Sequence, residues 1–143
     1  MIESIPVPGI NDFDEIFWLN CSNNQLSIQH CGACDEPRFP PRHMCPKCQS
    51  IDHKWKIVAG DGELWSYVIP HAPLLPYFEK QSPYIVGLVA LNNYTNIRII
   101  GRIMNSDGTN LVSTTNIAIG SKLSVGFNKI NSEITIPFWF LDV

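Results

Sequence analysis

The rhythm of apolar and polar positions changes twice along the chain. Near the start, Phe13, Ile16 and Phe17 recur at three- and four-residue spacing, which puts them on one face of a short helix. Asn11 or Asp12 can cap it, with Asp14 and Glu15 in its first turn. Leu26-Ser27-Ile28 then alternates, predicting a strand that leads into a cysteine-bearing stretch. From about residue 30 to 56 the periodicity lapses, and Pro37, Pro40, Pro41 and Pro46 exclude a helix across most of it. Beyond residue 57 the pattern is that of short strands. Leu64 to Ile69, Tyr84 to Leu91, Ile97 to Met104, Leu123 to Ile130 and Ile134 to Leu141 are rich in β-branched and aromatic residues. Gly60-Asp61-Gly62 reads as a turn, and residues 92–96 and Asn131-Ser132 as hairpin connections. The stretch between Met104 and Leu123 is polar and lacks a helical period. Five strands of this length fit a small closed barrel of the OB type, in which closure removes the exposed edges of apolar strands. The expected organisation is therefore mainly β: 1–29, a helix and lead-in strand; 30–56, a cysteine-bearing ribbon; and 57–143, an OB-fold barrel.

The ribbon carries the clearest chemical signal. Cys31 and Cys34 form one C-x-x-C pair, Cys45 and Cys48 a second, and ten residues separate the pairs. Each pair sets two thiolates on one tight knuckle, and two facing knuckles supply the four soft donors, at about 2.3 Å, of a tetrahedral structural Zn2+ site. A segment this small buries little, so the metal would supply its folding energy. Iron suits the same four-sulfur cage and gives a rubredoxin-like redox reading. A thioredoxin-type dithiol calls for a C-x-x-C that enters a helix in a βαβ setting, which this sequence lacks. Cys21 falls outside the pattern and reads as an idle, buried thiol. The ribbon also holds five of the chain's ten basic residues, Arg38, Arg42, Lys47, Lys54 and Lys56.

Composition narrows the field. Apolar residues make up 45% and charged residues 16% of the 143, enough for a real core and too apolar for disorder. The formal charge of −3 argues against a protein that grips nucleic-acid backbone, which needs clustered cations. No apolar run approaches the roughly 20 residues of a membrane helix. Residues 1–6 show neither a basic nor an apolar leader region, so the chain reads as cytoplasmic.

The order of these features carries a resemblance. A short helix is followed by Leu26-Ser27-Ile28-Gln29-His30-Cys31, Phe39-Pro40-Pro41-Arg42 and Cys45-Pro46-Lys47-Cys48. Gly60-Asp61-Gly62-Glu63-Leu64-Trp65-Ser66 comes next, then Ser82-Pro83-Tyr84-Ile85-Val86-Gly87-Leu88-Val89, then Ile119-Gly120-Ser121-Lys122-Leu123-Ser124-Val125-Gly126-Phe127. Taken together, the chain from about residue 12 to 142 resembles the zinc-ribbon/OB-fold family catalogued as domain of unknown function 35. The resemblance implies a non-catalytic accessory subunit. Such a subunit docks on a thiolase-like enzyme (a thiolase, a hydroxymethylglutaryl-CoA synthase or a steroid side-chain aldolase) and helps to form an acyl-CoA channel. All four metal ligands of the family are kept. Asp35 departs from the pattern, since a glycine often follows the second cysteine.

Acyl-CoA contact asks for a few cations beside an apolar slot. Arg38 and Arg42, on the proline-stiffened ribbon loop, are the first candidates, each weighed against a plain solvent-exposed role. His71 stands at the mouth of an unusually apolar loop, Leu74-Leu75-Pro76-Tyr77-Phe78, which either folds back on the core or forms a docking surface. Arg98 and Arg102, four apart on a strand, share a face that reads as outer barrel surface. His30 and His43 neighbour the cysteines, but four thiolates already complete a site, and a site so closed has no open position for metal catalysis. No G-x-S-x-G, H-E-x-x-H or phosphate-cradling glycine loop occurs. The rival reading is a single-stranded nucleic-acid module with Trp65, Tyr67, Tyr84 and Tyr94 as a stacking platform, against their use as barrel packing.

Overall fold

The computed structural model describes residues 4–110, 113 and 117–142. Helix α1 (Glu15–Ser22) begins two to three residues later than the capping expectation, with Asp14 at its N-cap. The backbone N–H of Asn11 donates to Asp14 Oδ1 at 2.7 Å, so residues 11–14 close a turn of their own before the helix starts. Phe17 and Cys21, four apart, are its buried residues.

Two β units follow. In the first, β1 (Leu26–Cys31) is the middle strand, flanked by β2 (Pro37–Arg38) and β3 (His53–Val58), all antiparallel. β3 is a strand the sequence reading did not isolate. Its alternation of Trp55 and Ile57 with Lys54 and Lys56 lies hidden beside the proline-rich stretch, and every one of its residues pairs with β1. All six residues of β1 are buried, where one-sided alternation was expected. Leu26 and Ile28 join the core shared with the barrel, while Ser27 Oγ accepts from Asn20 of α1.

The second unit is the expected five-stranded closed barrel, β4 (Asp61–Val68), β5 (Ile85–Leu91), β6 (Arg98–Met104), β7 (Lys122–Lys129) and β8 (Thr135–Leu141). Its order is β4-β5-β6-β8-β7, with β7 returning to β4 and β6 parallel to β8. β5 alternates between buried and half-buried positions along its whole length, the period-2 signature of a barrel wall. The core is built from Leu64, Ile85, Val89, Ile99, Ile103, Leu123 and Trp139. Asp61 and Gly62 correct the sequence reading: only Gly60, at φ +77°, makes the turn. Asp61, Gly62 and Glu63 extend β4 and pair with Ser124, Leu123 and Lys122, closing the barrel. Polar residues serve there because the Glu63–Lys122 ion pair lies on the exposed seam. Of the polar stretch 105–121, residues 111, 112 and 114–116 lie outside the described residues. Among the described residues no helix is long and apolar enough to cross a membrane.

Gly62 sits under close backbone contact, since a Cβ there would lie 2.4 Å from the Ala90 carbonyl oxygen of the paired strand. Gly62→Ala is expected to cost about 2 kcal/mol, the cost of overpacking a wall that has no room to relax. Gly9→Ala, with nothing within 4 Å of the new methyl, is expected to stay within about 0.5 kcal/mol. Urea denaturation of the two variants measures the difference.

Candidate metal centre and the groove beside it

The two knuckles are built alike. Cys31 N–H donates to the Glu36 carbonyl at 3.0 Å and Cys45 N–H to the Ser50 carbonyl at 2.9 Å. Asp35 N–H reaches back to the Cys31 carbonyl, and Gln49 N–H to the Cys45 carbonyl, at 3.1 and 2.9 Å. The residue after each second cysteine takes the left-handed conformation, Asp35 at φ +61° and Gln49 at φ +64°. That explains why a glycine is favoured after Cys34. Asp35 occupies the position with its carboxylate held between Lys54 and Lys56, each at 2.9 Å. Those two ammonium groups hold the Asp35 carboxyl well below the usual carboxylate range.

The four sulfur atoms converge. Cys31 Sγ and Cys48 Sγ are 3.5 Å apart, Cys34 Sγ and Cys45 Sγ 3.7 Å, and all four lie within 4.8 Å of one another. Four donors at the metal–thiolate distance of about 2.3 Å would stand about 3.8 Å apart in a tetrahedron, so the donor set fits one tetrahedral ion. The knuckle backbone prepares the thiolates for it. The N–H of Cys34, then that of Ala33 and the side-chain thiols of Cys48 and Cys34, pull the Cys31 thiol down to about 6 against the cost of burial. Cys45 is lowered the same way by the N–H groups of Cys48 and Lys47. Cys21 is the contrast: sealed from solvent, its thiol is pushed up to about 12 by burial alone.

Neither nearby histidine contributes a ligand. His30 Nδ1 lies 3.1 Å from the Asp35 carbonyl, and His30 Nε2 lies 3.3 Å from the Tyr94 hydroxyl, so the ring ties the first knuckle to the β5–β6 hairpin of the barrel. His43 packs on the Phe13 ring at 4.5 Å.

Between ribbon and barrel lies a groove of about 670 Å³. Trp18 of α1, Phe39 and Pro41 of the ribbon loop, Phe78 and Tyr84 of the β4–β5 connection, and Ile100 and Phe138 of the barrel wall all border it. Asp14 and Arg102 are the charged residues on its wall. Arg102 stacks on Tyr84 at 4.4 Å and donates through Nη1 to Gln81 Oε1 and to Asn110 Oδ1. The apolar loop folds back through Tyr77 and Phe78, aided by the short helix α2 (Pro76–Glu79), while Leu75 stays 58% exposed.

The sequence candidates separate accordingly. Arg42 and His71 are exposed. Arg38 is not on the surface at all: it is 4% exposed, because its side chain runs along the sheet to donate from Nε to Gln29 Oε1. Arg98 lies outside the barrel as expected, its guanidinium 3.9 Å from the Trp65 ring. Trp65 itself stays 55% exposed. Tyr84 is buried, Tyr94 is turned toward His30 and Tyr67 packs against the core, the barrel-packing use set against the platform. The groove itself left no local signal, being assembled from segments distant in sequence; Arg102 was visible only as one of a pair on a strand.

Residues 21–52 match the family described as "ChsH2, rubredoxin-like zinc ribbon domain", and residues 55–128 the one described as "ChsH2, C-terminal OB-fold domain". A solved chain described as the Ltp2–ChsH2(DUF35) aldolase matches with a TM-score of 0.81 at 30% identity, over 96% of this chain and all of that one. The chain belongs to the ChsH2 (DUF35) zinc-ribbon and OB-fold family. Among curated relatives, a probable enoyl-CoA hydratase alpha subunit of Thermomonospora curvata is 36% identical over 92% of this chain. A DUF35 domain-containing scaffold protein of Methanothermobacter thermautotrophicus is 28% identical over 76% of this chain and 75% of its own length. The chain spans 38% of the length of the hydratase subunit.

Two measurements check this centre. Cys45→Ser is expected to abolish tight binding of one metal ion per chain and to disrupt the ribbon, read by metal analysis and near-ultraviolet circular dichroism. A thiol reagent at pH 8 should find Cys31 and Cys45 fast after chelation, and Cys34 slow, its thiol pushed up to about 12 by burial and the neighbouring cysteines against the opposing Glu36 N–H. It should find Cys21, fully buried and pushed up to about 12, only on unfolding.

Proposed function

We propose that this chain is a non-catalytic, cytoplasmic accessory subunit that docks on a thiolase-like enzyme and forms part of an acyl-CoA channel. The observation that carries the reading is the match, over the full length of that chain, to the Ltp2–ChsH2(DUF35) aldolase structure. The names of the two curated relatives, a hydratase alpha subunit and a scaffold protein, accord with a subunit that works beside an enzyme. In this reading Cys31, Cys34, Cys45 and Cys48 hold Zn2+, a redox-inert ion suited to a closed structural site. The segments 1–29, 30–56 and 57–143 act as clasp, arm and barrel.

The groove supports the channel. Its wall is apolar along most of its length, as a pantetheine arm or an acyl chain requires, with the Arg102 guanidinium as a fixed polar point. Arg42 and His71, both exposed, are the proposed contacts for the phosphates of CoA or for an acidic rim of the partner. Arg38, a third candidate for that contact, is too deeply buried to meet a phosphate in the open.

Co-expression with a thiolase-like enzyme encoded beside it is expected to yield a stoichiometric complex containing one zinc per copy of this chain. Phe78→Asp, which puts a charge on the groove wall, is expected to leave the complex intact and to raise the KM for acyl-CoA about tenfold, equivalent to 1.4 kcal/mol. Failure to co-purify, with no change in the partner's activity, would overturn the reading. A coloured, iron-bearing protein would overturn the zinc assignment.

A further inference from the structure

Buried hydrogen-bonding groups without a counterpart are rare in folded chains, because each loses its water and gains nothing in return. Among the described residues, the side-chain nitrogens in this position are Trp18 Nε1, Gln29 Nε2, Arg38 Nη1 and Nη2, Trp55 Nε1 and Arg98 Nε. Arg98 has the Trp65 ring beside it, and Trp18 borders the open groove. The remaining four nitrogens come from one place. Arg38 on β2 and Trp55 on β3 are the two cross-strand neighbours of Gln29 on β1. Side chains directly opposed across a ladder project from the same face of the sheet. Three adjacent strands therefore set a guanidinium, a carboxamide and an indole in one row.

The row offers protons and nothing else. Gln29 Oε1 accepts from Arg38 Nε and, at 2.8 Å, from the backbone N–H of Arg42, which fixes the acceptor end of the amide and leaves its two N–H groups without a partner. Gln29 is fully buried and Arg38 nearly so. An arginine cannot shed its charge to ease its burial. Asp35 and Glu36, the acids of the neighbouring knuckle, are paired with lysines, and no carboxylate pairs with Arg38 among the described residues. A water molecule could accept two of these N–H groups but would bring two protons of its own, and Gln29 Oε1, the acceptor within the row, is already engaged twice. An anion accepts several N–H groups, brings no proton and compensates the charge.

We propose that the Gln29–Arg38–Trp55 row encloses a compact inorganic anion of halide size. The size limit follows from the sealing of the Nη atoms, which leaves no path for a phosphate ester or a carboxylate side chain. The ion would tie β2 to β1 beside the knuckle and anchor the 39–42 loop that borders the groove.

The test uses the metal-loaded full chain at constant ionic strength, with gluconate, too large for the row, exchanged for chloride or bromide. The melting temperature is expected to rise saturably, by about 5 °C between gluconate and 100 mM chloride. Crystals grown in bromide are expected to show an anomalous peak within hydrogen-bonding distance of Arg38 Nη. Gln29→Glu keeps both acceptor contacts of Oε1 and supplies the missing negative charge within the chain. It should melt higher than the parent in gluconate and lose the chloride dependence. Equal melting of the parent in gluconate and chloride overturns the proposal, as does a bromide crystal with no peak at the row. A Gln29→Glu protein that keeps the full chloride response does so too. Should that variant fail to fold, the bromide crystal of the parent decides alone.

Discussion

A three-stranded ribbon whose middle strand has no free face depends on four sulfur atoms meeting at one point. β2 is two residues long and none of β3 is fully buried, so the ladders they make with β1 contribute little cohesion by themselves. Cross-linking both knuckles holds Cys31 at the end of β1 in place. That strand then lays Leu26 and Ile28 against the barrel and directs His30 toward Tyr94. The metal centre thus sets more than a local loop. It fixes the strand through which ribbon and barrel become one core.

The groove follows from that docking. None of its walls is unusual alone: an aromatic helix face, a proline-stiffened loop, a folded-back connection and the outer surface of a barrel. An outer barrel face carrying Ile100, at 65% exposure, beside Phe138 would be a liability for a free-standing barrel. Set opposite Phe39 and Trp18 it becomes one side of a slot. Arg102 remains there because aromatic faces and amide oxygens together take the place of water around its charge. A chain with such a slot suits a family whose relatives include a scaffold protein and a probable hydratase alpha subunit.

Burial of polar groups divides the ribbon sheet into two faces with different work. One, through Leu26 and Ile28, is ordinary apolar packing. The other, through Ser27, Gln29 and Arg38, is polar yet equally dry. Polar groups in such a place are costly to leave half satisfied, and specify a unique arrangement when complete. That arrangement holds the 39–42 loop, which is at once the rim of the groove and the neighbour of the second knuckle.

The sequence by itself determined whatever rests on spacing and local periodicity. Two C-x-x-C pairs ten residues apart, five short β-rich runs and the Tyr84–Leu91 alternation each encode their geometry within a few residues, because a knuckle and a strand are satisfied locally. The start of α1 was misread because Asn11–Asp14 can form either a cap or a separate turn, and only the backbone hydrogen bonds choose. β3 was missed because its partner lies more than twenty residues away, beyond a stretch of prolines. Tertiary structure alone decided which polar residues lose their water: Arg38, expected on the surface, is covered because β1 lies between two strands and under a helix. It alone also decided the groove and the place of Arg102 in it. Burial and concavity are properties of surfaces brought together from distant segments, and no short window of sequence holds both sides of a contact.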